Sequence, residues 1–412
     1  MSSETRSHRA GRFVLTIFLF LTVFVRAAAA NEADAIGISQ NIRMRHMPFG
    51  TILDPIFASP ESDQIVGYTH CGDSAIWTGH YLAAEAFRYT VTGSAEALDN
   101  VKTALNGISG LLNVTGTNLL SRCLVPTNSP HAQAIIQEEA SNGIFENRQD
   151  GWYWIGNTSR DQYSGVFFGL GVAFDLVDDA EVRTEIVRDV TLLLNFLRGH
   201  DWSVRMPNGG LSTTFIGRAD QELSFLQVGR HVNSGKFSTS YDLNRFFLSP
   251  ETIAPISIDV LGDDSYFKFN VDSINLFNLI RLEHSSFGSI YRTAYDILRR
   301  HTDDHGNAFF NMIDWALNGP NEVRDSQTRQ MLDDWLLRPR RDVPTDLRGM
   351  YPACGSADRA CEPIPVAKRV PADFLWQRSP FQLVAQGTGM IESAGIDYIL
   401  PYWMARYYGV LD

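Results

Sequence analysis

Two segments of the chain place an aspartate at the start of a long, mostly apolar stretch. The first segment is THCGDSAIWTGH, which contains Asp73, and the second is WYWIGNTSRDQYSG, which contains Asp161. Hydrolysis of a glycosidic bond needs two carboxyl groups across a pocket, one protonated to donate to the leaving oxygen and one ionised as base or nucleophile. We therefore interpret Asp73 and Asp161 as candidate catalytic acids. The alternative for each is a helix N-cap without a catalytic role.

Further candidate residues lie beside these acids or near the C-terminus. Aromatic rings offer flat apolar faces on which sugar rings can pack, although tryptophan is more often a core residue. Glu392 is a third candidate catalytic acid, with a solvated loop carboxylate as its alternative, and Tyr163 is a further candidate catalytic residue. The candidate substrate-binding residues are Trp77, His80, Trp152, Trp154, Arg160, Gln162, Trp376 and Arg378.

The chain also carries the residue types that a polysaccharide lyase uses. Such an enzyme neutralises a uronate and removes its C5 proton with histidine, tyrosine and arginine side chains. The candidates for this β-elimination are His80, His200, His231, His284, His305, Tyr163, Tyr241, Arg160 and Arg378. A lone histidine in a helix, such as His284, has a core position as its alternative. No pair of histidines has the spacing of metal ligands, so we expect no metal site.

Several classes of protein are disfavoured by what the sequence lacks. It has no phosphate-binding glycine loop ending in Gly-Lys-Ser/Thr, no GxGxxG, no HExxH and no GxSxG. Nucleotide-dependent enzymes, zinc proteases of that type and α/β-hydrolases are therefore disfavoured. The formal net charge of −12 at pH 7 argues against a nucleic-acid partner.

Helical periodicity recurs in pairs, in which a stretch that is apolar nearly all round precedes an amphipathic one. The predicted pairs are 74–91 with 95–112, 164–177 with 180–198, 272–283 with 289–300, and 307–317 with 323–337. Enclosed inner helices and half-exposed outer helices are what an (α/α) barrel, or toroid, requires. We therefore predict an all-α fold with long loops and minor β-structure, with residues 31–412 as a single toroid domain. A globin-like or solenoid packing of the same pairs is the alternative.

The predicted toroid explains why the candidate acids belong together. Its inner helices would all point the same way, so that Asp73 and Asp161, at two of their starts, would open onto one face. Weak strand signals occur at 210–216 and 256–261, and a short helix at 132–140. The long connections 113–160, 200–264 and 338–394 are predicted to form the walls of a cleft.

The N-terminus and the cysteines predict an exported protein. Residues 1–30 contain basic, then apolar, then small residues in the order of a signal peptide, with cleavage expected after Ala30. No later stretch is long and apolar enough to span a bilayer, so we predict a soluble bacterial protein that is secreted or periplasmic. In such a compartment the four cysteines can pair, and we favour Cys71 with Cys123 and Cys354 with Cys361 among three possible pairings.

The paired helices, the export signal and the Asp/Trp segments resemble the six-hairpin glycosidase superfamily, which includes unsaturated glucuronyl hydrolases. They are also similar to the α-toroid polysaccharide lyases, although the Asn-Asn-His-Ser-Tyr-Trp signature of alginate lyases is absent. The resemblance covers the architecture of most of residues 31–412, and it implies Asp73 and Asp161 as matched acids without a cofactor. The resulting hypothesis is an exported enzyme that cleaves glycosidic bonds of a poly- or oligosaccharide by carboxylate acid/base catalysis. A polysaccharide lyase and a non-catalytic glycan-binding envelope protein remain alternatives.

Overall fold

The computed structural model describes residues 30–262, 265–355, 361–371 and 378–412. The predicted signal peptide, apart from Ala30, and the candidate Trp376 lie outside the described residues. Within these ranges, no helix combines the length and the apolar character needed to cross a lipid bilayer.

The described chain is predominantly helical, which confirms the prediction of a mostly α fold. The helices are α1 Glu32–Asn41, α2 Ser74–Thr92, α3 Ala95–Asn113, α4 Ala132–Glu138, α5 Arg160–Leu176, α6 Ala180–Gly199, α7 Ala219–Val232, α8 Ser234–Leu248, α9 Ile253–Gly262, α10 Tyr266–Leu282, α11 Gly288–Thr302, α12 Ala308–Asn318, α13 Glu322–Trp335 and α14 Ile396–Tyr407. Each of the eight helices predicted in pairs is present, with ends that differ by a few residues.

The strands are short and form small antiparallel sheets. They are β1 Asp54–Phe57, β2 Ile65–Thr69, β3 Cys123–Pro126, β4 Ile144–Asn147, β5 Trp152–Ile155, β6 Ser203–Arg205, β7 Leu211–Thr214, β8 Thr345–Asp346 and β9 Val384–Ala385. The pairings are β1 with β2, β6 with β7, β8 with β9, and a three-stranded sheet in the order β3-β5-β4. The predicted strand at 210–216 corresponds to β7, and the predicted short helix at 132–140 to α4.

Two predictions for the segment 200–264 are wrong. The segment is not a long loop, because it contains α7, α8 and α9, and residues 256–261 are helical rather than extended. The buried side of α7 carries polar side chains, including Asp220, Gln221, Ser224 and Gln227. Its apolar residues alone therefore do not show a clear helical spacing in the sequence. Helix α9 is rich in isoleucine and valine, residue types that favour strands when packing does not decide.

Six helices, which we call the leading helices, contact one another in chain order. These are α2, α5, α7, α10, α12 and α14, and α14 in turn contacts α2. A following helix packs on most of them: α3 on α2, α6 on α5, α8 on α7, α11 on α10 and α13 on α12, while α1 packs on α14. The leading helices are the more buried set. In α5, for example, every residue from Gln162 to Ala173 is buried.

Helices α2 and α5 approach closely because glycine faces glycine where they cross. A Cβ atom on Gly79 would lie 2.1 Å from the carbonyl oxygen of Gly165, and one on Gly169 would lie 2.3 Å from the carbonyl oxygen of Gly79. No real Cβ atom tolerates such a contact with backbone, so only glycine permits this packing distance. The crossing brings the first turns of the two helices, with Asp73 and Asp161, towards each other.

Both favoured disulfide pairings are present and are thereby confirmed. Cys71 is bonded to Cys123, which links the turn before α2 to β3, and Cys354 is bonded to Cys361. The partners are 52 residues apart in the first bond and 7 in the second. The first bond lies two residues before Asp73 and therefore anchors the start of α2 against the strand that follows α3.

The two disulfides are expected to contribute unequally to stability. Because a cross-link restricts the unfolded chain more when it closes a longer loop, replacing Cys71 and Cys123 by alanine should lower the free energy of unfolding by about 4 kcal/mol, and replacing the other pair by about 2 kcal/mol. Urea denaturation of both double variants measures the difference. Equal losses, or a larger loss for Cys354 and Cys361, would contradict the expectation.

Candidate functional site

The amide of Gln162 joins the two aspartates predicted as catalytic acids. Gln162 lies in the first turn of α5 and is fully buried. Its Oε1 accepts a hydrogen bond from the backbone N–H of Ile76 at 3.0 Å, which fixes the amide against α2. Its Nε2 donates to Oδ1 of Asp73 at 3.1 Å and to Oδ2 of Asp161 at 3.2 Å. Both N–H groups of one amide are therefore directed at carboxylates that lie at the starts of two different helices.

The N-cap alternative does not account for these two aspartates. Asp73 occupies the residue before α2, yet its carboxylate makes no capping hydrogen bond to the described backbone of that helix. Asp161 is the second residue of α5, and Ser159 holds the N-cap position there. The carboxylates instead face each other across Gln162, although the first turn of each helix is where a negative charge is favoured by the helix dipole.

Arg122 fixes the start of α2 relative to the loop that precedes α5. Its guanidinium donates to the backbone oxygen of Gly72 at 2.7 Å, to the backbone oxygen of Asn157 at 2.8 Å and to Oγ of Ser159 at 2.8 Å. Its Nη1 also lies 3.6 Å from Oδ1 of Asp73. No local pattern after α3 predicts this role for Arg122, because the residues that it contacts lie in two other segments of the chain.

A cavity of about 270 Å³ opens beside Asp161 at the starts of α5, α7 and α10. Its lining combines cationic, acidic and aromatic side chains, namely Arg160, Asp161, Arg218, Gln221, Asp259, Ser265, Phe267, Lys268, Val271 and Asp272. A lining of this mixed polarity offers both hydrogen-bonding groups and an aromatic face to a ligand. Of the sequence-predicted residues, Asp161 and Arg160 lie on its wall.

Three carboxylates lie within ion-pair distance of the guanidinium of Arg218, which lines this cavity. Nη2 of Arg218 lies 2.9 Å from Oδ2 of Asp220 and 2.6 Å from Oδ1 of Asp272, and Arg218 also pairs with Asp259. Burial raises the pKa of Asp272 well above its usual range, Arg218 lowers it, and the charges of Asp220 and Asp259 raise it further. Lys268 also pairs with Asp259 at 3.6 Å, so two cations face three acids, and the like charges of the neighbouring acids favour the protonated form of Asp272.

A second cavity, of about 350 Å³, shares Arg160 and Arg218 with the first. Glu222, in the first turn of α7, lines it, and burial raises the pKa of this carboxyl to about 7. A carboxyl that stays protonated near neutral pH has the property of a general acid. No local pattern predicts this role for Glu222, because its burial depends on the packing of segments that are distant in the chain.

The pKa of Glu222 predicts a pH dependence of stability. Because the folded-state pKa of about 7 lies above the ordinary value of 4.5, the contribution of Glu222 is fully present below about pH 4.5 and is lost as the pH rises through about 7. We expect Glu222→Gln to lose less stability than the parent protein between about pH 4.5 and about pH 8. Urea midpoints at the two pH values test this. An equal decrease in both proteins would contradict the pKa shift.

Glu392 is not a solvated loop carboxylate, because it is only 8% exposed and belongs to a separate chain of acids and histidines. Its Oε1 accepts a hydrogen bond from Nδ2 of Asn41 at 2.7 Å and lies 3.4 Å from Nε2 of His46. The other ring nitrogen of His46 lies 3.3 Å from Asp54, whose Oδ2 is 2.8 Å from Nδ1 of His70. Burial raises the pKa of Glu392, but contacts with His46, Asn41 and an arginine outweigh it and lower the pKa to about 2.

Tyr163 and His80 lie in the core rather than on a cavity wall. Tyr163 is fully buried, its hydroxyl accepts a hydrogen bond from the backbone N–H of Leu120 at 3.3 Å, and burial raises its pKa. Nδ1 of His80 is 2.9 Å from the backbone oxygen of Ile76, and its Nε2 is 3.3 Å from the amide nitrogen of Asn270. Burial is the main reason that the pKa of His80 is lowered to about 4, so the ring is neutral at pH 7.

The three described candidate tryptophans do not form one platform. Trp77 is buried and packs against Phe267, which lines the cavity beside Asp161. Trp154 is buried and stacks on Phe145 at a ring-centroid distance of 4.3 Å. Trp152 lines a different cavity, of about 390 Å³, between α3 and the β3-β5-β4 sheet. Arg378 lies apart from all three, on the wall of a cavity that also contains His70 and Asp54.

Three further candidates for β-elimination are engaged at separate places, whereas His284 is exposed rather than in the core. The hydroxyl of Tyr241 donates to Glu283 at 2.7 Å, His231 pairs with Asp175, and His305 contacts Tyr266. In the described ranges, no group of three or more histidine, cysteine, aspartate or glutamate side chains is placed to hold a metal ion.

Comparison of the chain with protein-family models, with curated proteins and with solved structures finds no match. The chemistry of the site residues therefore carries the functional assignment. Asp73 and Asp161 are predicted to act together, and the structure gives both carboxylates the same hydrogen-bond partner, Gln162.

Proposed function

We propose that the protein is an exported enzyme that hydrolyses glycosidic bonds of a poly- or oligosaccharide, with Asp73 and Asp161 as its catalytic carboxyl groups. The observation that carries the proposal is the bridge by Gln162. Two carboxylates held close together repel each other, and a purely structural role would not require the repulsion. Glycoside hydrolysis does require two such groups, each with its own role.

The surroundings of the two acids support different roles for them. Arg122, with Nη1 3.6 Å from Asp73, favours an ionised carboxylate there, so Asp73 is assigned as base or nucleophile. Asp161 lines the cavity, so it is assigned as the proton donor. The two bridged oxygens, each within 3.2 Å of one nitrogen, lie closer together than the roughly 6.5 Å typical of inverting enzymes, which favours retention of configuration.

The architecture proposed for this enzyme is an (α/α) toroid. The leading helices would form its inner ring, and the following helices with α1 its outer ring. The contacts in chain order and the return of α14 to α2 support this arrangement. In such a ring Asp73, Asp161 and Glu222, each at or near the start of a leading helix, would share one face.

Export to the bacterial periplasm or beyond is part of the same proposal. The order of basic, apolar and small residues in 1–30 and the two disulfides support it. A polymer outside the cytoplasm is then the natural substrate.

A screen of the purified protein against plant and bacterial polysaccharides tests the proposal. We expect new reducing ends from at least one polymer, without the ultraviolet absorbance of an unsaturated uronic acid. Products that carry that absorbance would identify a lyase instead, and binding without cleavage of any polymer would indicate a glycan-binding protein. Either outcome would overturn the proposed function.

A further inference from the structure

The cavity of about 270 Å³ beside Asp161 has no surplus of positive charge. Its wall contains three basic and three acidic side chains, namely Arg160, Arg218, Lys268, Asp161, Asp259 and Asp272. A fourth acid, Asp220, pairs with Arg218 at 2.9 Å, and Lys268 pairs with Asp259 at 3.6 Å. An anion that entered the cavity would therefore face at least as many acidic groups as basic ones, which favours an uncharged ligand.

Gln221 brings an unsatisfied amide oxygen to the wall of this cavity. It is the third residue of α7 and is only 2% exposed. Its Oε1 is buried without a hydrogen-bond partner among the described residues, which costs free energy that a ligand can offset. Gln162 is likewise the third residue of its helix, but its amide oxygen and nitrogen are both hydrogen-bonded. Gln221 therefore differs in having an amide oxygen left for a ligand.

A second oxygen of the cavity wall is also unsatisfied. Oδ2 of Asp272, on α10, is buried without a hydrogen-bond partner in the part of the chain that the structure describes, while Oδ1 of the same carboxyl pairs with Arg218. The last torsion of a glutamine side chain is soft, so the amide of Gln221 can turn its oxygen or its nitrogen towards a ligand. Two oxygens from two helices suit a ligand with several hydroxyl groups, each of which can donate and accept.

An aromatic ring completes the wall of the same cavity. Phe267, the second residue of α10, is half-buried and lines the cavity. The ring of Trp77 packs against it edge to face, with ring centroids 6.3 Å apart and planes at 83°. Such a contact fixes the orientation of the Phe267 ring. Trp77 itself is only 4% exposed, so it supports Phe267, whose ring is the apolar surface available to a ligand.

We propose that this cavity binds an uncharged sugar ring, with Gln221 as a specificity-determining residue that hydrogen-bonds its hydroxyl groups and Phe267 as the surface on which the ring packs. The inference rests on the proposed function for placing a saccharide next to Asp161, and it adds that the saccharide is neutral. A site built to hydrogen-bond a hydroxyl group discriminates strongly against ligands that leave its buried polar group unpaired. Gln221 therefore contributes to the choice of substrate rather than to proton transfer.

Affinity electrophoresis in gels that contain laminarin, glucomannan, galactomannan or polygalacturonate tests the proposal. The protein carries Asp161→Asn throughout, so that cleavage does not shorten the polymer. At least one of the three neutral polymers is expected to retard the protein, and the anionic polygalacturonate is not. Gln221→Met should weaken the binding about tenfold or more, because methionine has a similar length but cannot replace the amide hydrogen bonds. Phe267→Leu should weaken it by roughly threefold or more through loss of the flat ring.

The thermal midpoint separates a role in binding from a role in the fold. Because Oε1 of Gln221 has no partner among the described residues, Gln221→Met removes no hydrogen bond to this oxygen, and the midpoint should not fall. Gln133, exposed in the first turn of α4, is the matched control, and Gln133→Met should bind as the Asp161→Asn protein does. A lower midpoint for Gln221→Met would assign the residue to the fold and overturn its role in binding.

The remaining outcomes distinguish this inference from the proposed function. Retention by none of the polymers, retention by polygalacturonate alone, or equal retention of Gln221→Met and Phe267→Leu would overturn the neutral sugar site. Retention that Gln221→Met weakens, together with no cleavage by the parent protein, would support the site and overturn the proposed hydrolysis. Cleavage of a polymer with a KM that Gln221→Met leaves unchanged would overturn the site and support hydrolysis.

Discussion

Asp161→Asn is expected to reduce the rate of glycan cleavage by roughly 10²–10⁴-fold, which is the usual contribution of a positioned general acid. Asparagine keeps the shape of the side chain and can accept the hydrogen bond from Gln162, but it cannot donate a proton to the leaving oxygen. The thermal midpoint should therefore stay close to that of the parent protein. The best substrate of the polysaccharide screen, assayed by reducing ends, provides the measurement.

The control for this substitution is another acid in the first turn of a helix. Glu322 begins α13, is exposed, and lies outside the cavities described beside Asp161. Glu322→Gln should cleave at the parent rate. If Asp73→Asn and Asp161→Asn both retain full activity, the pair has no catalytic role, however well it is positioned.

Gly79→Ala is expected to destabilise the protein by at least about 3 kcal/mol, at the upper end of the cost of overpacking a core. The new methyl group would lie 2.1 Å from the backbone oxygen of Gly165, and backbone cannot move aside as a flexible side chain can. Helices α2 and α5 would have to separate. Because Asp73 and Asp161 lie at the starts of these helices, the surviving folded protein should also lose cleavage activity.

A second glycine in a helix provides the comparison for Gly79. Gly37 lies within α1, is exposed, and has no atom within 4 Å of an added Cβ. Gly37→Ala should therefore raise the free energy of unfolding by up to about 1 kcal/mol through helix propensity. Urea denaturation compares the two variants. A loss for Gly79→Ala no larger than the change for Gly37→Ala would show that the helix crossing is not close-packed.

Helices with a clear apolar period were predictable, whereas those with a buried polar side were not. The pairs at 74–91 with 95–112 and 164–177 with 180–198 match α2, α3, α5 and α6 closely. Helix α7 escaped prediction because its buried side carries polar residues such as Asp220 and Gln221, whose burial no local pattern shows. Both disulfides were predictable because export and chain spacing limited the choices.

Only those residues of the candidate site that lie at the start of a helix were predictable from the sequence. Asp73 and Asp161 were identifiable from their position before apolar stretches, but the role of Gln162 as a bridge depends on how α2 and α5 cross. The tryptophans could not be assigned from sequence, because tryptophan is suited both to a buried core and to a surface that binds sugars. Trp154, for example, is in the core. The chain of His46, Asp54 and Glu392 joins residues more than 300 positions apart and leaves no local signal.

Cleavage in ¹⁸O-labelled water tests the central claim most directly, because hydrolysis and β-elimination differ in whether solvent oxygen enters the product. Mass spectrometry of the fragments should show one labelled oxygen at each new reducing end, and Asp161→Asn should form almost none of this product. Unlabelled reducing ends paired with unsaturated fragments would contradict hydrolysis by the Asp73 and Asp161 pair.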